Sequence, residues 1–185
     1  MTDKYNNKYR ISSARLQSWD YGWNATYFIT ICTNDRIHSF GKISDNKMQL
    51  SPIGIIANIL CFETKNHFKN IELDVFIVMP NHIHGILILN NDNVETRHAL
   101  SLQSQQKSIG QKRFQNQGKN TVSSIIGSYK SAVTKHTNRL NYQFKWQSRF
   151  HDHIIRDEKS FIKISEYIFN NPLNWNYDKF NQEQI

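Results

Sequence analysis

Met79-Pro80-Asn81-His82-Ile83-His84-Gly85-Ile86-Leu87-Ile88-Leu89 carries the strongest structural signal in this chain. Pro80-Asn81 interrupts one extended run, and an apolar run of strand length follows with two histidines at its head. Side chains two residues apart on a strand share a face, so His82 and His84 project together while Ile83 turns the other way into the sheet packing. Two adjacent imidazoles are natural ligands for a divalent metal. A bare His-x-His is just as well a pair of surface or core histidines at a strand edge, so the rest of the chain has to decide.

Upstream, Ile71 to Val78 forms a second β run, and the short connection predicts that it pairs antiparallel with His82 to Leu89. Tyr27-Phe28-Ile29-Thr30-Ile31-Cys32-Thr33 is rich in β-branched and aromatic residues and reads as a first, central strand. Asn34-Asp35 turns the chain, and residues 37–50 read as short hairpin strands. Ser51 then suits an N-cap, with Pro52 at the first helical position. Ile53, Ile56, Ala57, Leu60 and Cys61 keep helical spacing to about His67.

Downstream, residues 90–120 are dominated by Asn, Gln, Ser and Lys and predict a long mobile loop inserted into the domain. Helical spacing resumes from Thr121 to Asn138, with Val122, Ile125, Ile126, Tyr129, Ala132 and Val133 on one stripe. Phe144 to Ile155 reads as a loop entering a fourth strand. Asp157-Glu158 opens a last helix that Pro172 ends, giving a helix over 158–171. Strand, helix, strand, strand, helix, strand, helix is the order of an α+β domain. The expectation is one domain over 1–185: a ferredoxin-like antiparallel sheet with helices on one face.

The chain has 185 residues, enough to bury a sizeable core in one domain. Lys and Arg number 23 against 15 Asp and Glu, a net charge of +8 that favours a polyanionic partner, nucleic acid first and anionic membrane second. Cys32 and Cys61 lie inside apolar segments without metal-ligand spacing and read as small buried hydrophobes in a reducing compartment. No apolar run reaches the ~20 residues of a membrane span and no apolar leader opens the sequence, so a cytoplasmic protein is expected. Residues 1–25 form a basic, aromatic arm. Its Arg10, Arg15, Trp19, Tyr21 and Trp23 suit phosphate contact and base stacking, or else pack onto the domain.

In the last helix, Tyr167 and Asn171 are four apart and face one side. Alone, that pair is unremarkable; its meaning comes from the two histidines. Tyr129 sits on the apolar stripe with Val133 four residues on, and reads as core. His151 and His153 repeat the His-x-His spacing, as DNA-path residues or as helpers at the metal. Lys130, Lys135, Arg149 and Arg156 are the candidate phosphate contacts, while His67 and His136 have no supporting context.

In order along the chain stand Asp20-Tyr21 with the Tyr27–Thr33 strand, Met79-Pro80-Asn81-His82-Ile83-His84-Gly85, and Ser128-Tyr129-Lys130-Ser131. Trp146-Gln147-Ser148-Arg149-Phe150-His151-Asp152-His153-Ile154-Ile155-Arg156 and Tyr167-Ile168-Phe169-Asn170-Asn171-Pro172 follow. Together these blocks, over about residues 10–175, resemble the HUH single-strand nucleases. More narrowly, they resemble the Y1 transposases of the IS200/IS605 type and the REP-associated tyrosine transposases. The resemblance implies His82, His84 and Asn171 as metal ligands, Mg²⁺ or Mn²⁺ as cofactor, and Tyr167 as the nucleophile. It implies an endonuclease and strand transferase acting on single-stranded, hairpin-bearing DNA through a 5′-phosphotyrosine. Asn171 stands where the mobile enzymes usually carry Gln, which fits the REP-associated branch and a monomer.

Two rivals remain on the sequence. A non-catalytic nucleic-acid-binding module of ferredoxin-like fold would present stacked aromatics on its sheet. A hydrolase using a metal-activated water would want a carboxylate in the ligand set, and none adjoins the histidine pair.

Overall fold

β3 (Ala25–Cys32) is the centre of the fold in a computed structural model of the chain. The structure describes residues 19–91, 118 and 120–181, together with the backbone of a small hairpin, β1 (Lys4–Tyr5) and β2 (Lys8–Tyr9). Arg10 and Arg15, with most of the N-terminal arm, lie outside the described residues, as does nearly all of the 90–120 segment. That segment's two ends do meet: the Asn91 side-chain amide donates to the carbonyls of Gly22 (2.8 Å) and Asn120 (3.3 Å).

The helix and strand boundaries follow from local chemistry. Asp45 and Asn46 adopt positive φ (52° and 58°), the geometry of a tight primed turn, and join β4 (Gly41–Ser44) to β5 (Lys47–Leu50). Ser51 caps α1 (Pro52–His67) by accepting the Gly54 N–H at 3.1 Å, with Pro52 in the first turn where its missing N–H costs nothing. Thr121 and Ser124 form a reciprocal capping box on α2 (Val122–Arg139). Asp157 accepts the Ser160 N–H at 2.8 Å and opens α3 (Glu158–Phe169).

β6 (Ile71–Val78), β7 (His82–Leu89), β3 and β8 (His151–Ile155) pair antiparallel in the order β6-β7-β3-β8. With α1 after β3 and α2 after β7, this is the ferredoxin-like topology, carrying β4–β5 as an insertion before α1. Tyr27, Ile29 and Ile31 of β3 and Ile83 and Leu87 of β7 face one side. They pack there on Ala57 and Cys61 of α1 and on Val122, Ile125, Ile126 and Val133 of α2. Tyr129 is part of this layer and donates its hydroxyl to the Ala57 carbonyl at 2.8 Å, so it is a core residue as the apolar stripe indicates.

The third helix does something else. Phe161, Ile164 and Ile168 of α3 pack on the opposite face of the sheet, against Phe28, Val75, Ile77, Ile86 and Ile88. Where α1 and α2 cover one face as expected, α3 covers the other, and this explains why β7 is apolar at both parities. It also puts the end of α3 on the same face as His82 and His84.

Candidate active site

His82 and His84 lie side by side on the α3 face of β7, ring centroids 4.4 Å apart, both essentially without solvent exposure. Each imidazole is oriented by a neighbour, as metal-ligating histidines usually are. Asn81 donates its side-chain N–H groups to the carbonyls of Arg36 (3.1 Å) and Phe180 (2.8 Å), so its Oδ1 is left as an acceptor. His82 Nδ1, 2.9 Å from that oxygen, must therefore be the protonated nitrogen, and Nε2 carries the lone pair. Nε2 is buried and has no hydrogen-bond partner among the described residues. On His84, the Thr30 hydroxyl holds Nδ1 at 2.9 Å and leaves Nε2 to the hydroxyl of Tyr167, 3.2 Å away.

Tyr167 reaches this point because Ile168, wholly buried beneath the helix, fixes the rotation of α3 on the sheet. The phenol then lies over His84, ring centroids 5.3 Å apart, with Phe28 edge-on at 6.2 Å. Its ring remains 40% exposed, open to an incoming strand. Asn171 arrives by a different route from the one its spacing suggests. α3 ends at Phe169, and Asn171 belongs to the tighter turn that follows, its N–H donating to the Ile168 carbonyl at 3.3 Å. That turn keeps its side chain on the Tyr167 side, fully buried.

Asp178 completes the cluster. Asn171 Nδ2 donates to Asp178 Oδ2 at 3.0 Å; since a carboxylate only accepts, the amide's oxygen faces away, buried and without partner. Nitrogens of His82 and His84 and a carboxylate oxygen of Asp178 lie within 4.8 Å of one another. Nothing in the sequence around Asp178 marks it, and the sequence-based statement that no carboxylate adjoins the histidines fails in space. The segment carrying Asp178 folds back over the site, with Trp175 and Phe180 packed on His82 at 6.0 and 4.5 Å between ring centroids.

Electrostatics agree with a cation site. Burial, then the nearby Arg36 charge, pulls the His82 pKa down from 6.5 to about 3. Burial and the neighbouring His82 hold His84 well below its ordinary value. Both imidazoles are thus neutral at pH 7, the form in which an imidazole can bind a metal. Burial, followed by the Asp178 charge, raises the Tyr167 pKa, so the phenol keeps its proton. Two orphaned buried lone pairs, on His82 Nε2 and Asn171 Oδ1, beside a carboxylate and a second imidazole are a donor set that fits a divalent cation.

No family model matches the chain. A protein of Haemophilus influenzae described as uncharacterized is 35% identical over 181 residues, 97% of this chain and 98% of its own length. The two belong to one family. A REP-associated tyrosine transposase, solved bound to a REP hairpin, superposes with a TM-score of 0.58 at 20% identity, over 91% of this chain and 77% of that one. The fold is that of a tyrosine transposase. A candidate transposase of Deinococcus radiodurans superposes more loosely, with a TM-score of 0.45 at 13% identity over 87% of this chain and 96% of that one.

On this tyrosine-transposase fold the remaining candidates scatter. His151 and His153 are exposed on β8; His151 pairs with Thr30, which pairs in turn with His84, so the three share one row on the α3 face. Arg149 is exposed just before that row, whereas Arg156 is exposed at the far end of β8. Lys130 is half-buried, donating to the Gln147 carbonyl at 2.5 Å and lying over Trp146. Lys135 is exposed on α2, in the layer behind the sheet. Trp19 packs on the domain, its indole N–H donating to the Tyr27 hydroxyl at 3.1 Å.

Proposed function

We propose that this chain is a metal-dependent endonuclease and strand transferase for single-stranded, hairpin-bearing DNA, with Tyr167 as nucleophile. His82, His84 and Asn171 are its metal ligands, Asp178 stands beside them, and Mg²⁺ or Mn²⁺ is the cation. The observation that carries this reading is the Tyr167 hydroxyl 3.2 Å from His84 Nε2, next to two buried lone pairs without a hydrogen-bond partner among the described residues. Every group comes from one chain, which favours a monomer.

The residues account for the chemistry. Tyr167 Oη attacks the scissile phosphorus; the P–Oη bond forms as the P–O3′ bond breaks, and O3′ leaves with the electron pair and takes up a proton. The product is a 5′-phosphotyrosine and a free 3′-hydroxyl. Because the phosphodiester energy is kept in the phosphotyrosine, attack by a 3′-hydroxyl of another strand reverses the step without ATP. Tyr167 is protonated at neutral pH, so its proton needs an acceptor, and the Asp178 carboxylate lies within hydrogen-bonding reach. A divalent cation held by these ligands supplies charge withdrawal from the phosphate oxygens. The exposed row through His151, with Arg149 before it, is the side from which a strand reaches Tyr167. Lys130, Lys135, Arg156, Trp19 and the arm residues Arg10 and Arg15 are secondary contacts to its backbone and bases. The REP hairpin bound by the structural neighbour supports hairpin DNA as the substrate.

Two other readings fare differently. A binding module of this topology needs an open, aromatic sheet face, but helices cover both faces here. A hydrolase with an activated water is favoured by one observation, the placement of Asp178 beside the histidines. Labelled single strands carrying a hairpin-forming inverted repeat, incubated with Mn²⁺ or Mg²⁺ and resolved on denaturing gels, separate these outcomes. A covalent protein–DNA adduct is expected from the native chain and none from Tyr167→Phe. Cleavage without an adduct would favour the hydrolase, and an adduct that survives Tyr167→Phe would refute the assignment of the nucleophile.

A further inference from the structure

Beside the paired imidazoles lies a second charged cluster that the chemistry above leaves unused. The Arg36 guanidinium sits 4.9 Å from the centroid of the Phe180 ring, and the Lys179 ammonium 5.1 Å from the same ring. Phe180 itself packs on His82 and His84, with ring centroids 4.5 and 5.8 Å away. One aromatic ring thus holds two cations next to the metal-binding face. Arg36 spends one N–H, from Nη1, on the Lys179 carbonyl at 3.0 Å, which leaves the rest of its donor fork for an anion.

The backbone at this point is unusual. Asp35 and Arg36 both take positive φ, 50° and 55°, in a three-residue turn without glycine, a conformation that persists only where its surroundings enforce it. Asn81 provides that enforcement. Its amide holds the Arg36 and Phe180 carbonyls while its oxygen takes the His82 Nδ1–H. The same side chain therefore sets the imidazole and both cation-bearing segments in one register.

We propose that Arg36 and Lys179 form a phosphodiester-binding cradle beside the His82–His84 cation site, gripping a backbone phosphate adjacent to the one that Tyr167 attacks. This rests on the single-strand nuclease reading and extends it. The cradle would keep the scissile linkage in line by holding its neighbour, a positioning contribution of charge and geometry. That Arg36 and Lys179 both disfavour a proton on His82 agrees with their charges facing the site.

Fluorescence anisotropy with a labelled oligothymidylate tests this, in a Tyr167→Phe background with Mn²⁺ so that nothing is cut. The slope of log affinity against log salt should fall by roughly 0.7, the value for one lost single-strand phosphate contact, in Arg36→Gln/Lys179→Gln. It should be unchanged in the charge-retaining Arg36→Lys/Lys179→Arg. Mn²⁺ affinity by calorimetry should not weaken in any of them, because the charges removed repel a cation at the site. Lys179→Gln alone, an exposed side chain lying over the Phe180 ring, supplies the readout should the double variant fail to fold. An unchanged slope in folded variants overturns the cradle even if the native chain forms its covalent adduct. A reduced slope without any adduct from the native chain keeps the cradle and removes the nuclease reading.

Discussion

Acid should weaken this fold through its two buried histidines, and a single substitution should expose the effect. An unfolded imidazole takes up its proton near pH 6.5, but folded His82 does so only at about pH 3. Between those values the unfolded chain binds more protons than the folded one, so stability is fully present above about pH 6.5 and is lost as pH falls. Each pH unit inside the window costs about 1.4 kcal/mol per such group. Going from pH 6.5 to about 4.5 therefore removes ~3 kcal/mol through His82 alone, a large share of the ~5–15 kcal/mol that holds a typical domain together. His84, also held well below its ordinary pKa, adds to the loss in the same direction. His82→Asn keeps a donor for Asn81 Oδ1 and has nothing to titrate. Urea unfolding of both proteins with a chelator present, at a series of pH values, should give a shallower acid slope for the variant, by about 1.4 kcal/mol per pH unit. The carboxylates titrate in both chains and cancel in the comparison. Parallel stability curves for the two would mean that His82 is not buried as a neutral imidazole, and the electrostatic account of the site would fail.

Two further outcomes can be checked with the same instruments. A divalent cation at about a hundred times its dissociation constant should stabilise the fold by ~2.7 kcal/mol, read as a rise in Tm that a chelator reverses and that His84→Ala abolishes. Gly85→Ala should cost about 1–3 kcal/mol in urea unfolding, because the new Cβ would lie 3.1 Å from the Phe76 Cβ on the neighbouring strand; no loss would mean that the irregular pairing between Leu73 and Phe76 yields freely.

Much of this architecture can be read from neighbouring residues. β6 and β7 run over 71–78 and 82–89 as their patterns indicate, and α1 starts at Pro52 behind its Ser51 cap. These are local matters: a proline, a cap or an apolar period acts within a turn or two of where it stands. The side of the sheet that each helix covers is a different kind of question. β7 is apolar at both parities, which signals burial on both faces, yet nothing in the 82–89 run says that α3 supplies the second cover. Asn171 shows the same limit on a smaller scale: four-residue spacing puts it on a helix, whereas the helix stops at Phe169 and a tighter turn carries it to the site.

The paired histidines were visible in the sequence through their strand period, whereas Tyr167 and Asn171 stood out through the resemblance to the tyrosine transposases. Asp178, Arg36 and Lys179 belong to no such pattern. They reach the imidazoles only because Trp175 and Phe180 bury their rings against His82 and because Asn81 ties two distant carbonyls together. Periodicity tells which side of its own element a residue takes. Which remote segment lies opposite is decided by how whole faces pack, and Tyr167 meets His84 across 83 positions for that reason alone.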